Sequence, residues 1–360
     1  MLSAEFLTFS GLDDLPDDGA RLFGTADSFF ASRAWWRTVL SHATPRGAEP
    51  CFVVCRVGGS VAGLFPMLHR PKQAWVSFTT PYSCLYTPLI APGIDAAPAF
   101  ETFGHFCRRR TVIRLDALPS EWPHWDAMAA GLHAAGLVHR RFGHFGNWHE
   151  DVKGLDWTGY LARRPGALRE TIRRRLRRAE RLPDAAFTLM TSLDGLDRGI
   201  AAFEDVYARS WKETEPFPSF NAALIRTAAT AGILRLGLWS LNGHPIAAQF
   251  WIVEHGRATV LKLAHDEAFK THSPGTVLTA LMLRHFLDRE VVEEIDFGRG
   301  DDPYKRDWAG QRRQRFGLLI VNPWRLGGLV ALARQDLGRL LQWWRSAQPP
   351  KRGTPDHPKN

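Results

Sequence analysis

The chain has 360 residues, with 46 Lys and Arg against 37 Asp and Glu, and a formal net charge of +9 at pH 7. Apolar residues make up 45% and charged residues 23%, which is typical of a globular protein and excludes a disordered or collagen-like chain. No apolar run approaches the roughly 18 residues of a membrane span, and the N-terminus turns acidic where a signal peptide is basic. We expect a cytoplasmic protein with two domains, since one core rarely serves a chain of this length.

The first 150 residues alternate strand and helix patterns. Gly58-Gly59 joins two apolar runs and predicts a hairpin turn. Apolar periodicity predicts strands at 51–57, 61–68, 75–79, 85–90, 111–115 and 138–142, and helices at 29–40, 98–109 and 123–135. We interpret the next segment, 143–151 (GHFGNWHED), as a surface turn, because its two histidines lack the helical carboxylate–His spacing of a metal site.

Four cysteines lie in the first third of the chain: Cys51, Cys55, Cys84 and Cys107. The spacing of the first two would place both thiols on one face of a strand, but no second pair follows at zinc-binding spacing. The pattern therefore predicts buried free thiols in a reducing compartment and no metal.

The second half contains the most informative stretch. Val260–Ala264 reads as a buried strand, Ser273 as an N-cap, Pro274 as a first helical residue and Val291–Phe297 as a second strand. Together they form a βαβ unit, whose strands are normally parallel. Upstream, Asn242-Gly243 predicts another hairpin turn. Further elements are predicted as helices at 158–161, 166–182, 193–212, 221–229 and 324–344 and as strands at 186–190, 234–241, 246–253 and 315–321.

The start of this βαβ helix has the chemistry of an anion site. A helix N-terminus presents unpaired N–H groups and about half a positive charge, and Gly275 lets an anion approach the backbone closely. Such a start would suit the pyrophosphate of coenzyme A. It is also compatible with an ordinary helix start.

The ordered motifs LAHDEAF, SPG and IDFGRGDDPYKRDW, between residues 263 and 308, resemble the CelD-like acyltransferases, a branch of the GNAT superfamily related to the FemAB aminoacyl transferases. The similarity covers residues 165–322 well and the first half only in outline. It implies an α/β mixed-sheet fold and direct transfer of an acyl group, such as acetyl, from acyl-CoA to an amine or a hydroxyl in a ternary complex, with no metal. The acceptor implied is an envelope or exopolysaccharide precursor or a nucleotide-sugar.

The two halves of the chain echo each other. FCRRRTVIRLDAL at 106–118 matches FLDREVVEEIDFG at 286–298 in its Phe, Arg, Val and Asp positions, and APG at 91–93 precedes a helix as SPG does. We therefore predict tandem duplicated GNAT-like domains: a degenerate one at 1–155 and a catalytic one at 156–325. A C-terminal helix at 326–348 and a disordered tail at 349–360 follow.

The resemblance also implies site residues. Tyr304 occupies the place of a tyrosine that often protonates the leaving thiolate in the superfamily, and a phenol of pKa about 10 can do so. Asp266, Asp296 and His265 are candidate bases, and Asp266 is preferred, as base or amine binder, because it follows a strand and the resemblance includes it. Asp296 ends the next strand and is alternatively expected to hold the loop of Gly298 to Gly300. A relay through water remains an alternative.

Donor contacts are expected at the helix start, from Lys270, Ser273, Gly275 and Thr276. The loop before this helix departs from the superfamily pattern [QR]-x-x-G-x-[GA], because it has one glycine and a proline. This departure leaves open an aminoacyl-tRNA donor, which FemAB-like relatives use. For the acceptor we expect contacts from Trp211, Lys212 and Lys305; each residue also has a structural interpretation, as packing or as a solvated loop charge.

One basic segment carries most of the net charge. Residues 163–181 contain nine Arg and two Glu, a local charge of +7, which leaves about +2 for the rest of the chain. Leu168, Ile172, Leu176 and Ala179 form an apolar stripe, and Arg169, Arg173 and Arg177 form a ladder beside it. Like charges at that spacing repel, so the ladder favours an anionic partner such as a diphosphate, CoA, membrane lipid or RNA.

Three functions follow. The first is an acyl-CoA-dependent N- or O-acyltransferase with a small-molecule, glycan or lipid-linked acceptor. We expect it in the cytoplasm, and the terminal helix leaves open either a cap on the core or peripheral contact with a membrane. The second is a FemAB-like transferase that uses aminoacyl-tRNA. The third is a non-catalytic adaptor that binds anions through the Arg-rich helix. The sequence leaves the acceptor and the oligomeric state open.

Overall fold

The structure, a computed structural model, describes residues 3–71 and 75–347, the last helix by its backbone alone from residue 339 onward. In this part of the chain, thirteen strands form one mixed sheet. The strands are β1 (Ala4–Phe9), β2 (Glu49–Val57), β3 (Ser60–His69), β4 (Trp75–Ser77), β5 (Leu89–Ile90), β6 (Val112–Pro119), β7 (Val138–Asp151), β8 (Ala185–Met190), β9 (Leu234–Leu241), β10 (His244–Glu254), β11 (Arg257–His265), β12 (Glu294–Asp296) and β13 (Gln311–Val321).

Helices cover both faces of the sheet. They are α1 (Asp17–Arg21), α2 (Arg33–His42), α3 (Ala97–Arg108), α4 (Trp125–Ala134), α5 (Trp157–Ala162), α6 (Gly166–Ala179), α7 (Leu196–Ala208), α8 (Phe220–Thr230), α9 (Pro274–His285), α10 (Lys305–Trp308) and α11 (Leu326–Ala347). The mixed α/β class predicted from the sequence is confirmed. The tail predicted at 349–360 lies outside the described residues.

The order of the strands reveals an internal duplication. Across the sheet it is β1-β2-β3-β4-β6-β13-β7-β12-β11-β10-β9-β8, with β5 pairing on β3. If β1–β4 are exchanged with β8–β11, β6 with β12 and β7 with β13, the result is the same order read from the opposite edge of the sheet. The first half therefore ends in a strand that pairs beside β12 of the second half, and the second half ends in a strand that pairs beside β6 of the first. Each half is completed by the other's last strand.

The antiparallel pair β7 and β13 joins the halves at the centre of the sheet. Its register runs from Val138 opposite Val321 to His149 opposite Gln311. The surface turn predicted at 143–151 is therefore wrong. The strand was hidden because its buried positions are polar: Asn147 donates to Asp296, and Glu150 pairs with Arg164. Such residues lack the alternating apolar pattern by which a strand is recognised.

Two apolar clusters fill the faces of the sheet. One combines the first half with α7 and α8. The other lies between α5, α6, α9 and the opposite face of the second half. The apolar stripe predicted on α6 contacts this second cluster, where Ile172 is fully buried and Leu168, Leu176 and Ala179 are partly buried.

The predicted βαβ unit is present, with differences at its boundaries. Strands β11 and β12 pair in parallel, and α9 begins at Pro274 as predicted. The second strand is shorter than Val291–Phe297, because the helix continues as a π turn to Glu290 and Val291 then takes a left-handed conformation with φ of 53°. Ser273 stands at the N-cap, but its own φ is 53° and its hydroxyl accepts no capping hydrogen bond.

The four cysteines are free; Cys51, Cys55 and Cys107 are buried, and burial raises the pKa of Cys51 to about 11. Within residues 3–71 and 75–347, no helix has the length and apolar character needed to cross a bilayer. In the same residues, no three His, Cys, Asp or Glu side chains are grouped so that they could hold a metal ion.

Candidate active site

The parallel strands of the βαβ unit separate after only three residue pairs. Their register ends with Thr259 opposite Asp296. Immediately beyond, β11 has a bulge: Val260 pairs with Trp251 and Lys262 with Phe250, which leaves Leu261 without a partner on β10. A bulge bends the strand that carries it. The two strands therefore part at the carboxyl end of β12, the kind of position where α/β sheets bind ligands.

A cavity of about 370 Å³ lies at this parting. Its lining comes from β11, from the loop after β12, from the segment after α7 and from the first half of the chain. The lining residues are Pro81, Tyr82, Cys84, Lys212, Val260, Leu261, Lys262, Leu263, Phe297, Arg299, Gly300, Asp302, Tyr304 and Lys305. Three residues expected from the sequence to act in the site, Lys212, Tyr304 and Lys305, thus meet at one cavity.

The loop after β12 forms one wall of the cavity and requires its glycine. Gly298 has φ of 64°, and a Cβ atom there would overlap the carbonyl oxygen of Val260. Lys305 is buried, and its Nζ donates to the carbonyl of Arg299 at 2.7 Å and pairs with Asp302 at 3.0 Å. Lys305 therefore fixes the shape of the loop, which corrects its interpretation as a solvated charge.

Asp296 supports this loop from behind. Its carboxylate accepts hydrogen bonds from Asn147 at 2.6 Å and from the Gly298 N–H at 2.7 Å, and it pairs with Arg313 at 2.5 Å. Burial alone would raise the pKa of Asp296, but the charges of Arg313 and Arg315 hold it below its ordinary value. A buried carboxylate that is ionised and fully bonded is a poor base, so the structure favours a structural role over the expected catalytic one.

Asp266, the preferred base, is also engaged. It caps the 3-10 turn Glu267–His272 by accepting a hydrogen bond from the Ala268 N–H at 2.9 Å. It also forms an ion pair with Arg209 and is buried. Asp266 therefore shapes the connection between β11 and α9, and both expected carboxylates are engaged by other protein groups.

Three predicted residues lie around the start of α9. The Trp211 ring stacks obliquely on His265 at 4.4 Å, and a Cβ atom at Gly275 would lie 3.2 Å from Nδ1 of that histidine. Burial lowers the pKa of His265, so its ring is neutral near pH 7. Trp211 is 51% exposed and is therefore not a core residue.

The other expected donor contacts lie on the same connection. Lys270 is exposed, while Ser273 and Thr276 are half-buried at the helix start. Helix α6 approaches from the side, where Arg175 donates to the carbonyl of Thr271 at 3.2 Å. The start of α9 thus combines a helix dipole, a glycine and nearby cationic side chains, which is the arrangement that favours a phosphate group.

Tyr304 lies at the edge of the cavity and is 40% exposed. The surrounding protein and then the charge of Asp302 raise the pKa of this phenol above its ordinary value. The side chain therefore keeps its proton throughout the physiological range. A phenol in this state can donate a proton but does not act as a base.

A second group of residues beside the cavity, centred on Glu215, has no role in the sequence-based prediction. This carboxylate accepts hydrogen bonds from Tyr82 at 2.7 Å and from Tyr207, and it pairs with Lys262. One available signal was Lys262 itself, a charge inside an otherwise apolar strand. Tyr82 could not be found in this way, because only the fold brings the first half to this cavity.

The corresponding position in the first half is filled. Strands β4 and β6 pair in parallel at Trp75 and Val76 only. The chain then returns beside the end of β6, where the buried Tyr86 donates its N–H to the carbonyl of Ala117 at 3.0 Å. This packing supports the interpretation that the first half has no acyl-transfer site of its own.

The Arg-rich helix lies apart from the cavity. Arg173 and Arg177 line a separate shallow groove, and Arg177 pairs with Glu170 at 3.5 Å. Arg169 is half-buried and reaches the carbonyl of Ala162. The three arginines of the predicted ladder therefore differ in their exposure and in their partners. The arginines of this segment that are exposed are Arg163, Arg173, Arg174, Arg177, Arg178 and Arg181.

Comparison with protein families gives a match to the acetyltransferase (GNAT) domain over residues 166–306. These residues include the bulged strand, the start of α9 and the loop to Tyr304. Residues 166–306 form a GNAT acetyltransferase domain. The protein is therefore a transferase of the acyltransferase type. No curated protein sequence matches the chain.

Solved structures agree with this fold over nearly the whole chain. FemX is 12% identical with a TM-score of 0.57, covering 94% of this chain and all of FemX. The C-terminal domain (DUF2156) of an Agrobacterium fabrum protein assigned as a lysylphosphatidylglycerol synthetase is 13% identical with a TM-score of 0.53, covering 90% of this chain and 95% of that domain. A tandem GNAT protein from the clavulanic acid pathway is 15% identical with a TM-score of 0.50, covering 88% and 98%. At these identities the likeness establishes the fold alone, and it confirms the GNAT-like architecture.

The buried pair of Asp296 and Arg313 allows a test of the loop behind the GNAT domain's cavity. The pKa of Asp296 is lowered on folding, so its charge stabilises the protein above the ordinary Asp pKa of about 3.9, and this contribution is lost as the pH falls through the lower folded pKa. Asp296→Asn should destabilise by about 3–5 kcal/mol near neutral pH, the cost of breaking a buried pair, and by less below about pH 4. Urea unfolding at several pH values measures both.

The exposed Asp194→Asn is a matched control and should change stability by less than about 0.5 kcal/mol. An effect of Asp296→Asn that stayed constant with pH would contradict the account.

Proposed function

We propose that this protein is an acyl-CoA-dependent N-acyltransferase, or O-acyltransferase, that transfers an acetyl group directly within a ternary complex. One observation carries the proposal: β11 and β12 part at a bulge, beside the start of α9, with a protonated phenol at the edge of the opening. Such an opening admits an extended thioester, and the helix start offers a place for its diphosphate. Both features belong to the matched GNAT domain.

The donor would lie along β11. Its diphosphate would bind the N–H groups near Gly275 and Thr276, and its thioester would reach the cavity beside Leu261 and Lys262. Backbone groups of β11 beyond Thr259 face the opening instead of β12, because the parallel register has ended there. A backbone N–H in this position can polarise the thioester carbonyl.

The reaction needs a neutral nucleophile and a proton for the leaving group. The acceptor amine attacks the carbonyl carbon, a C–N bond forms, the C–S bond breaks and the amine loses a proton to water. Tyr304 gives its proton to the departing thiolate and regains one from solvent. Asp266 and Asp296 are both bound to other protein groups, so neither is used here as the base. Instead, the positive charges of the site favour the neutral form of the acceptor amine.

Lys212 illustrates this electrostatic effect. Burial, followed by the charges of Lys262 and Lys305, lowers the pKa of Lys212. An acceptor amine in the same surroundings would have its pKa lowered for the same reason, so more of it would be neutral near pH 7. Positioning of the two reactants then supplies much of the acceleration.

We assign the protein to the CelD-like branch because its motifs LAHDEAF, SPG and IDFGRGDDPYKRDW follow one another in the order found in that family. We propose an envelope or exopolysaccharide precursor, or a nucleotide-sugar, as its acceptor.

The segment around α11 is relevant if the acceptor is linked to a lipid. Exposed apolar side chains just before α11 and along it are Trp324, Leu326, Leu329, Val330 and Leu337. An exposed apolar helix face suits the surface of a membrane. Peripheral contact stays a prediction, which sedimentation with anionic vesicles tests.

The first prediction concerns the donor. Gly275→Glu should weaken acetyl-CoA binding by about tenfold or more, because it adds a negative charge at the helix start and pushes against His265. Isothermal calorimetry measures the affinity. Gly24→Glu is the matched control: nothing lies within 4 Å of its Cβ position, and it should bind as wild type. Equal affinities for all three proteins would place the donor elsewhere.

The second prediction concerns Tyr304. Tyr304→Phe should lower turnover by about 10²–10⁴-fold, the usual range for a lost general acid, and leave acetyl-CoA affinity nearly unchanged. Because the pKa of Tyr304 is raised, wild-type activity should show no loss from deprotonation of this phenol below about pH 10. Release of free CoA at a series of pH values measures both effects. Full turnover in the Phe variant would remove the phenol from the mechanism.

A second candidate donor is an aminoacyl-tRNA. The observation that favours it is the exposed arginine face of α6. The helix itself contacts the connection that leads to α9, where Arg175 donates to the carbonyl of Thr271. Replacing Arg174 and Arg178 with Gln should then weaken tRNA binding and reduce its dependence on salt concentration. Acetyl-CoA binding without tRNA binding would decide for the first donor.

A further inference from the structure

The positively charged side chains of the cavity differ in whether a carboxylate pairs with them. Lys262 pairs with Glu215, and Lys305 pairs with Asp302. Lys212 has no carboxylate within ion-pair distance in the described part of the chain, and its ammonium lies 5.5 Å from the Trp211 ring centre. It is half-buried. The cavity therefore contains one lysine whose charge is shielded from water and not neutralised.

Arg299 adds a second charge that forms no ion pair with a carboxylate in residues 3–71 and 75–347. Its guanidinium lies over the Phe145 ring at 4.4 Å and donates to the carbonyl of Ser83 at 3.3 Å. Burial lowers the pKa of Arg299, which reflects the cost of holding this charge away from water. A cavity with two cations that lack counterions is ready to bind an anion, because the anion removes that cost.

The position of Lys212 indicates which reactant supplies the anion. Besides the cavity, Lys212 lines two adjoining pockets, of about 430 Å³ and 410 Å³, on the side of α7. Neither lining includes a residue of α9 or of the connection before it, and the two linings share Tyr207, Glu213, Thr214 and Glu215. The donor is expected to enter from the start of α9. A molecule that fills the α7 side and reaches the cavity past Lys212 is therefore the acceptor.

We propose that the acceptor carries an anionic group, a phosphate or a carboxylate, which Lys212 binds with help from Arg299. This inference rests on the proposed acyl transfer and adds the chemical class of the acceptor. The anion would anchor the acceptor while its amine or hydroxyl lies at the parting of β11 and β12. Residues from both halves of the chain then form the acceptor site, since Arg299 is held by Ser83 and Phe145 of the first half.

The test uses glucosamine 6-phosphate and glucosamine, a pair of probes that differ only in the phosphate. Calorimetry compares their binding to the full-length wild type, Lys212→Met and Lys212→Arg, with acetyl-CoA titrated separately. We expect the wild type to prefer the phosphorylated sugar by about tenfold or more, which corresponds to about 1.4 kcal/mol. Lys212→Met should lose this preference, and Lys212→Arg should keep most of it.

Lys153→Met is the matched control, because Lys153 is exposed, lies outside the cavity and should leave the preference unchanged. Equal binding of both sugars to the wild type, or an unchanged preference in Lys212→Met, would overturn the proposal. Weaker acetyl-CoA binding in Lys212→Met, with the sugar preference retained, would assign the anion to the donor and would also overturn it. Failure of acetyl-CoA to bind the wild type would refute the acyl transfer, whereas a retained sugar preference would still support the anion site.

Discussion

The buried ion pair of Asp296 and Arg313 is the interaction on which the rest of the structure depends. Asp296 ends β12 at the point where the cavity begins, and Arg313 lies on β13, the strand that crosses to the first half. Asn147, on β7 of the first half, donates to the same carboxylate and to the Gly298 carbonyl at 2.9 Å. One charge thus joins three strands from two halves and sets the turn that walls the cavity.

The two halves of the duplicated fold differ at the position where their parallel strands part. In the first half, the chain after β4 returns beside β6 and buries Tyr86 at the position that is open in the second half. The same returning segment supplies Tyr82 and Cys84 to the cavity of the GNAT domain. The first half therefore forms part of the wall of the second half's cavity. Truncating the chain to the GNAT domain alone would remove both this wall and β7.

Local signals allowed part of this structure to be predicted from sequence. Gly58-Gly59 and Asn242-Gly243 marked the hairpins, Pro274 marked the start of α9, and the matching segments at 106–118 and 286–298 indicated the duplication. These features depend on residues that are close in sequence. The central strand β7 was missed because its partners, Asp296 and Arg313, are far away in the chain and turn its polar residues into buried ones. The same distance explains why the sequence leaves Asp296 open between a base and a support for the loop of Gly298 to Gly300, and why Glu215 and Tyr82 have no role in the sequence-based prediction.

The central claim is that the donor lies where β11 and β12 part, next to the start of α9. Hydrogen–deuterium exchange of the full-length protein with and without acetyl-CoA tests it most directly. The account predicts slower exchange of backbone amides at 260–265 and 275–278 when acetyl-CoA is bound, and no change at the corresponding first-half segment, 75–78. Protection confined to the first half, or no protection at the parting of β11 and β12, would contradict it.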